Sequence, residues 1–104
     1  MNNIFDFELP AVDSEHFYTQ LKSKNVEIKT IISNTLSTPQ TFLQECEEWL
    51  VVLKGCAKIK MDDTVYKLKK GDTLFIPKKK EHTLLKTKKT VIWLAVYIYY
   101  TKEA

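Results

Sequence analysis

The sequence predicts an all-β domain, a sandwich or closed barrel with one short helix near its N-terminus. Three observations predict it. Turn signals recur about every 8–12 residues along most of the chain, the spacing of hairpin-linked strands rather than of helix crossovers. The runs between these turns are β-branched or aromatic, and several alternate apolar with polar, as Ala57 to Met61 (AKIKM) does strictly. Finally, 44% hydrophobic and 28% charged residues in a chain of 104 is the composition of a single folded unit with one core, here residues 1–104.

The elements follow in order. Asp13 or Ser14 stands where it can cap a turn or two of helix through HFYTQL, with Phe17 and Leu21 sharing a face at i and i+4. His16 on that element is read as a surface or packing residue. NVEIKTII alternates loosely as a strand, and after the Pro39 break TFLQ is a short one. WLVVLK is apolar and β-branched, AKIKM follows it, and the Asp62-Asp63 pair turns the chain into TVYKLK. Lys70-Gly71-Asp72 makes the next turn, into TLFIP and then HTLLK. A polar Lys-Thr-Lys-Lys turn leads to the long closing strand TVIWLAVYIYY. Leu50, Val52, Ile59, Leu74, Ile76 and Leu84 are the expected core.

That closing strand is apolar at both parities. One face belongs to the core, so Trp93, Tyr97 and Tyr99, or their neighbours, need a second cover. A homodimer is the expected cover, with the N-terminal segment carrying Phe5 and Phe7 as the other candidate.

Charge narrows the partners. Residues 1–52 hold three Lys against eight acids, while residues 53–104 hold thirteen Lys against five. All sixteen basic residues are Lys, without the planar Arg fork that reads phosphate and guanine bidentately, and the lysine clusters fall at expected turns. This is a solvated coat rather than a nucleic-acid face, and the aromatic residues are expected in the core and at interfaces rather than as a base-stacking platform. No run reaches the roughly 18 apolar residues of a membrane span, so no membrane partner is expected. The start, MNNIFDFELP, lacks the basic-then-apolar pattern of a secretory leader, and Cys46 and Cys56 form neither a disulfide framework nor a C-x-x-C site. A cytoplasmic protein with reduced thiols is expected.

One stretch carries a finer signal. Gly71, five residues, Pro77, one residue, Lys79, two residues and His82 resembles the second signature of the cupin family, with Lys79 at the family's second glycine. Upstream, Glu48, six residues and Gly55 are similar to the tail of the first signature. Where the family has two histidines ahead of that glutamate, this chain has Phe42 and Gln44. The resemblance covers about residues 35–98, and EEWLVVLKG with GDTLFIP and VIWLAV looks most like the small stand-alone cupins.

The resemblance implies an antiparallel jelly-roll β-barrel, usually dimeric, with Glu48 and His82 inside it. Metal-binding cupins hold one divalent transition ion (Fe, Mn, Ni, Cu or Zn) with three histidines and the glutamate. Carried over, Glu48 and His82 would be firm ligands, Gln44 a weak one, and Phe42 none. Cys46 lies between Gln44 and Glu48 and is a further conceivable donor, its direction unread from sequence. Two functional readings stay open. One is a cupin that binds a small polar molecule through Phe42, Gln44, Glu48 and His82 without a complete metal cage. The other is a metal-dependent enzyme of isomerase or dioxygenase type using Glu48, His82 and Gln44 as ligands.

Overall fold

Alternation along each strand decides which side chains meet. In a computed structural model that describes residues 3–87 and 89–100, the segment Cys56–Met61 runs exposed, buried, exposed, buried, exposed, buried. Thr73–Ile76 likewise buries Leu74 and Ile76 and exposes Thr73 and Phe75. Repeated along the chain, the rule gives nine strands: β1 (Glu15–Lys22), β2 (Val26–Ser33), β3 (Gln40–Phe42), β4 (Glu47–Lys54), β5 (Cys56–Met61), β6 (Thr64–Lys69), β7 (Thr73–Ile76), β8 (His82–Leu84) and β9 (Val91–Ile98). They form two antiparallel sheets, β1-β2-β9-β4-β7 and β3-β8-β5-β6, packed face to face as a jelly roll.

The core lies between the sheets. Leu50, Val52, Ile59, Leu74, Ile76 and Leu84, the six residues expected there, are all buried, joined by Ile31, Leu36, Ala57, Met61 and Leu68. β9 is the middle strand of the five-stranded sheet, which explains its apolarity at both parities. Its odd residues Val91, Trp93, Ala95 and Tyr97 are buried inward, and its even residues Leu94, Val96 and Ile98 are half-buried on the outer face. Trp93 and Tyr97 thus find their cover inside the core, and their even-numbered neighbours face out.

The expected N-terminal helix is a strand. The segment holding HFYTQL pairs antiparallel with β2 from Glu15 opposite Ser33 to Lys22 opposite Glu27, and no helix occurs among the described residues. Both candidate caps are engaged elsewhere: Asp13 Oδ1 accepts from the backbone N–H and the hydroxyl of Ser37, each at 2.6 Å, while Ser14 Oγ donates to the Ala11 carbonyl at 2.7 Å. A helix of one or two turns is unstable alone, whereas the edge of β2 offers this segment a full ladder of hydrogen bonds. A register shift between Thr19 and Leu21 also separates Phe17 from Leu21, the pair that suggested a helical face.

Three turn positions lead to the site. Gly55 (φ 84°), between β4 and β5, is packed so closely that a Cβ would stand 2.5 Å from the Thr90 carbonyl oxygen. Gly71 (φ 89°) precedes β7, where a Cβ would meet nothing within 4 Å, so the constraint there is purely conformational. Lys79, at the position of the family's second glycine, keeps a left-handed conformation (φ 60°), and its N–H donates to the Gln44 carbonyl at 2.7 Å. That bond ties the loop before His82 to the loop before Glu48.

Candidate functional site

A cavity of about 440 Å³ opens between the sheets, within the range of small-molecule sites. Its polar residues arrive from both sides. β4 alternates, so Glu47 faces outward and Glu48 inward, where it stands opposite Tyr97 of β9 and Ile76 of β7. His82 opens β8 from the other sheet, paired with Phe42 of β3 and Met61 of β5. Both are buried, at 5% and 6% exposure, and His82 Nε2 lies 4.0 Å from Glu48 Oε1. That separation exceeds a direct hydrogen bond and is one that a single hydroxyl oxygen can bridge.

The surroundings orient both groups. A carbonyl only accepts, so His82 Nδ1 carries the hydrogen in its contact with the Lys80 oxygen at 3.2 Å, which leaves Nε2 as the ring nitrogen toward Glu48. Gln44 Nε2 donates to Glu48 Oε1 at 2.7 Å, and the Tyr97 hydroxyl bonds the same carboxylate. The Phe42 ring stacks on His82, centroids 5.6 Å apart and planes 24° from parallel. The four residues singled out by the motifs therefore line one cavity.

Burial sets the protonation chemistry. Loss of water raises Glu48 above its ordinary range, the bonds from Gln44 and Tyr97 and the nearby His82 oppose that rise, and the Glu15 charge adds to it. Burial is also the main cause that raises Glu15, against the bond from Ser33, and that raises Tyr97. Tyr99 is pushed up to about 12, by burial first and then by neighbouring Cys46 and Glu27. Cys46 lines the cavity as a buried thiol that burial pushes up, so it stays protonated and supplies no thiolate.

The donor set does not fit a complete metal centre. His82 and Glu48 are two firm ligands, but Gln44 turns its NH₂ rather than its carbonyl oxygen toward Glu48. A phenyl ring covers one face of the imidazole, and no group of three or more His, Cys, Asp or Glu among the described residues is arranged to hold an ion.

Sequence reasoning missed other lining residues, chiefly Glu15, Phe17, Lys29 and Tyr99. Glu15 and Phe17 were hidden by the helical reading; as a strand, EHFYTQLK puts them on one face at i and i+2. Lys29 lies between Glu27 and Ile31 on the inward parity of β2, a signal visible only once the pairing of β2 with β9 is known.

With this geometry established, comparison with known proteins adds the family. A cupin-domain family model matches residues 31–97. A structure of a candidate mannose-6-phosphate isomerase from Ralstonia eutropha JMP134 superposes with a TM-score of 0.84 at 29% identity, covering 96% of this chain and 98% of that one. A cupin superfamily protein from Desulfitobacterium hafniense DCB-2 gives 0.72 at 18% identity over 88% of this chain and 83% of that one. The EutQ protein of Clostridium difficile gives 0.71 at 15% identity over 82% and 68%. The last two show the fold alone. No curated protein matches the chain.

Proposed function

This chain belongs to the cupin family, and on that premise we propose that it binds a small polar molecule inside the barrel through Glu48, His82 and Gln44, without a complete metal cage. The observation that carries the reading is the pairing of His82 Nε2 with Glu48 Oε1 at 4.0 Å on the wall of a cavity lined mostly by apolar and aromatic side chains. An imidazole and a carboxyl group so placed grip a hydroxyl or an N–H, and the raised Glu48 carboxyl is suited to exchanging a proton with it. Two free cysteines, one of them exposed, suit a reducing compartment and support a cytoplasmic setting.

The isomerase description of the 29%-identical structure marks the competing reading, a metal-dependent enzyme. Metal analysis of protein purified without chelator separates the two. We expect well under one equivalent of Fe, Mn, Ni or Zn; a full equivalent that His82→Ala abolishes would establish the metal enzyme. His82→Ala should fold, losing about 1–3 kcal/mol of stability, and should lose binding of any small molecule the parent retains.

We also propose a homodimer. On the outer face of the five-stranded sheet one row crosses every strand as Phe75, Trp49, Val96, Ile28 and Leu21, without a charge in it. The N-terminal segment reaches the β1 and β2 end, where Ile4 and Phe7 line a crevice with Tyr18 and Thr30, while Trp49 and Phe75 at the other end are 38% and 45% exposed. A chargeless apolar row is complementary to its own copy, which is the occupant argued for here.

A further inference from the structure

We infer that the cavity selects a small organic cation, an amine on an apolar or aromatic body, held between the carboxylates of Glu15 and Glu48 and ringed by aromatic side chains. This deepens the pocket reading above and rests on it.

The lining charges are Glu15, Glu45 and Glu48 against a single lysine, Lys29. That lysine is already engaged: its ammonium lies 3.7 Å from Glu27 Oε1 and 5.5 Å from the centre of the Tyr97 ring. Among the described residues no lysine ammonium lies within 4.0 Å of Glu15 or Glu48, and the nearest cationic candidate for Glu48 is His82 at that distance. The cavity therefore holds two inward carboxylates on one sheet without a strong counter-ion.

Hydrogen bonding presents both as acceptors. Trp93 Nε1 donates to Ser33 Oγ at 3.2 Å, so the Ser33 hydroxyl hydrogen is directed to Glu15 Oε2. Gln44 Nε2 donates to Glu48 in the same way. Both acids face the same cavity, Glu15 from β1 and Glu48 from β4. Around them stand the rings of Phe17, Phe42, Trp93, Tyr97 and Tyr99. Ring faces carry negative potential, so they attract an ammonium and repel a carboxylate or phosphate; Lys29 above Tyr97 already makes such a contact within this chain. A bare metal ion is a poor guest, since the acids and the imidazole do not converge on one point, whereas an ammonium carries several separate N–H donors and needs no such convergence.

The test is isothermal titration at pH 7 with three probes sharing one body: 2-phenylethylamine, 2-phenylethanol and phenylacetate. The amine should bind at least about tenfold more tightly than the alcohol, and the acid more weakly than either. Glu15→Gln, checked for folding by circular dichroism, should remove most of the amine's advantage over the alcohol. Alcohol or acid binding as tightly as the amine overturns the cation inference and leaves the pocket reading standing. Amine binding unaffected by Glu15→Gln overturns it as well, by placing the guest elsewhere. If none of the three binds at about millimolar concentration, both the inference and the pocket reading fall.

Discussion

On the four-stranded sheet the outward positions of β5 and β6 include Lys58, Lys60, Lys67 and Lys69, all exposed. On the five-stranded sheet the outward row that runs from β7 to β1 is Phe75, Trp49, Val96, Ile28 and Leu21. Both sheets obey the same alternation, so this contrast lies in what each outer face meets. Lys58 stands directly opposite Lys67, an arrangement tolerated only where water screens the two ammonium groups. Trp49 directly opposite Phe75 is an arrangement that gains by leaving water. One outer face is built to stay solvated and the other to be covered.

The inner faces differ as well. Glu15 and Glu48 stand on the five-stranded sheet and His82 on the four-stranded one, so the acid and imidazole of the site come from opposite layers. The cavity exists only where the layers meet.

The largest expected effect is on the apolar outer face. The parent should sediment as a dimer at tens of micromolar, and Trp49→Lys should raise the dimer dissociation constant about 30-fold or more, the scale of an aromatic hot spot, without changing the circular dichroism. A parent that sediments as a clean monomer would break the contrast between the two faces and leave the apolar row to the N-terminal segment.

Next comes the inner side of the same sheet. Burial holds the folded-state Glu48 above its ordinary value of 4.5, so the folded chain retains this proton to higher pH than the unfolded chain does. Stability should therefore fall as pH rises from about that ordinary value through the raised folded one, with the loss complete above it. Glu48→Gln keeps an acceptor for Gln44 and removes the charge, so its melting temperature should vary less across this window and exceed the parent's at neutral pH. Thermal melts of the two proteins between pH 4 and pH 8 check this; parallel curves would show that Glu48 titrates normally.

The smallest effect belongs to the solvated face. Lys67→Glu replaces the like-charge pair with Lys58 by an opposite one and should add about 0.5 kcal/mol at low salt, a gain that fades near 1 M. A gain as large at high salt as at low would mean that this face is not open to water.

Local pattern was enough for the strands, the turns at Gly55 and Gly71, and the six core residues from Leu50 to Leu84, because a two-residue alternation and a left-handed turn are properties of neighbouring residues. It was also enough, through the two motifs, to single out Phe42, Gln44, Glu48 and His82. It failed at Glu15–Lys22, where an i, i+4 pair and two capping side chains fitted a helix as well as a strand and the choice was made by the edge of β2. Sheet order decided the rest. Only with β9 between β2 and β4 do Trp93 and Tyr97 turn inward, and only with β1 on β2 does Glu15 reach the cavity of Glu48. Which residues alternate is written within a few positions of the chain, whereas which strands become neighbours depends on hydrogen bonding and burial between segments far apart in it.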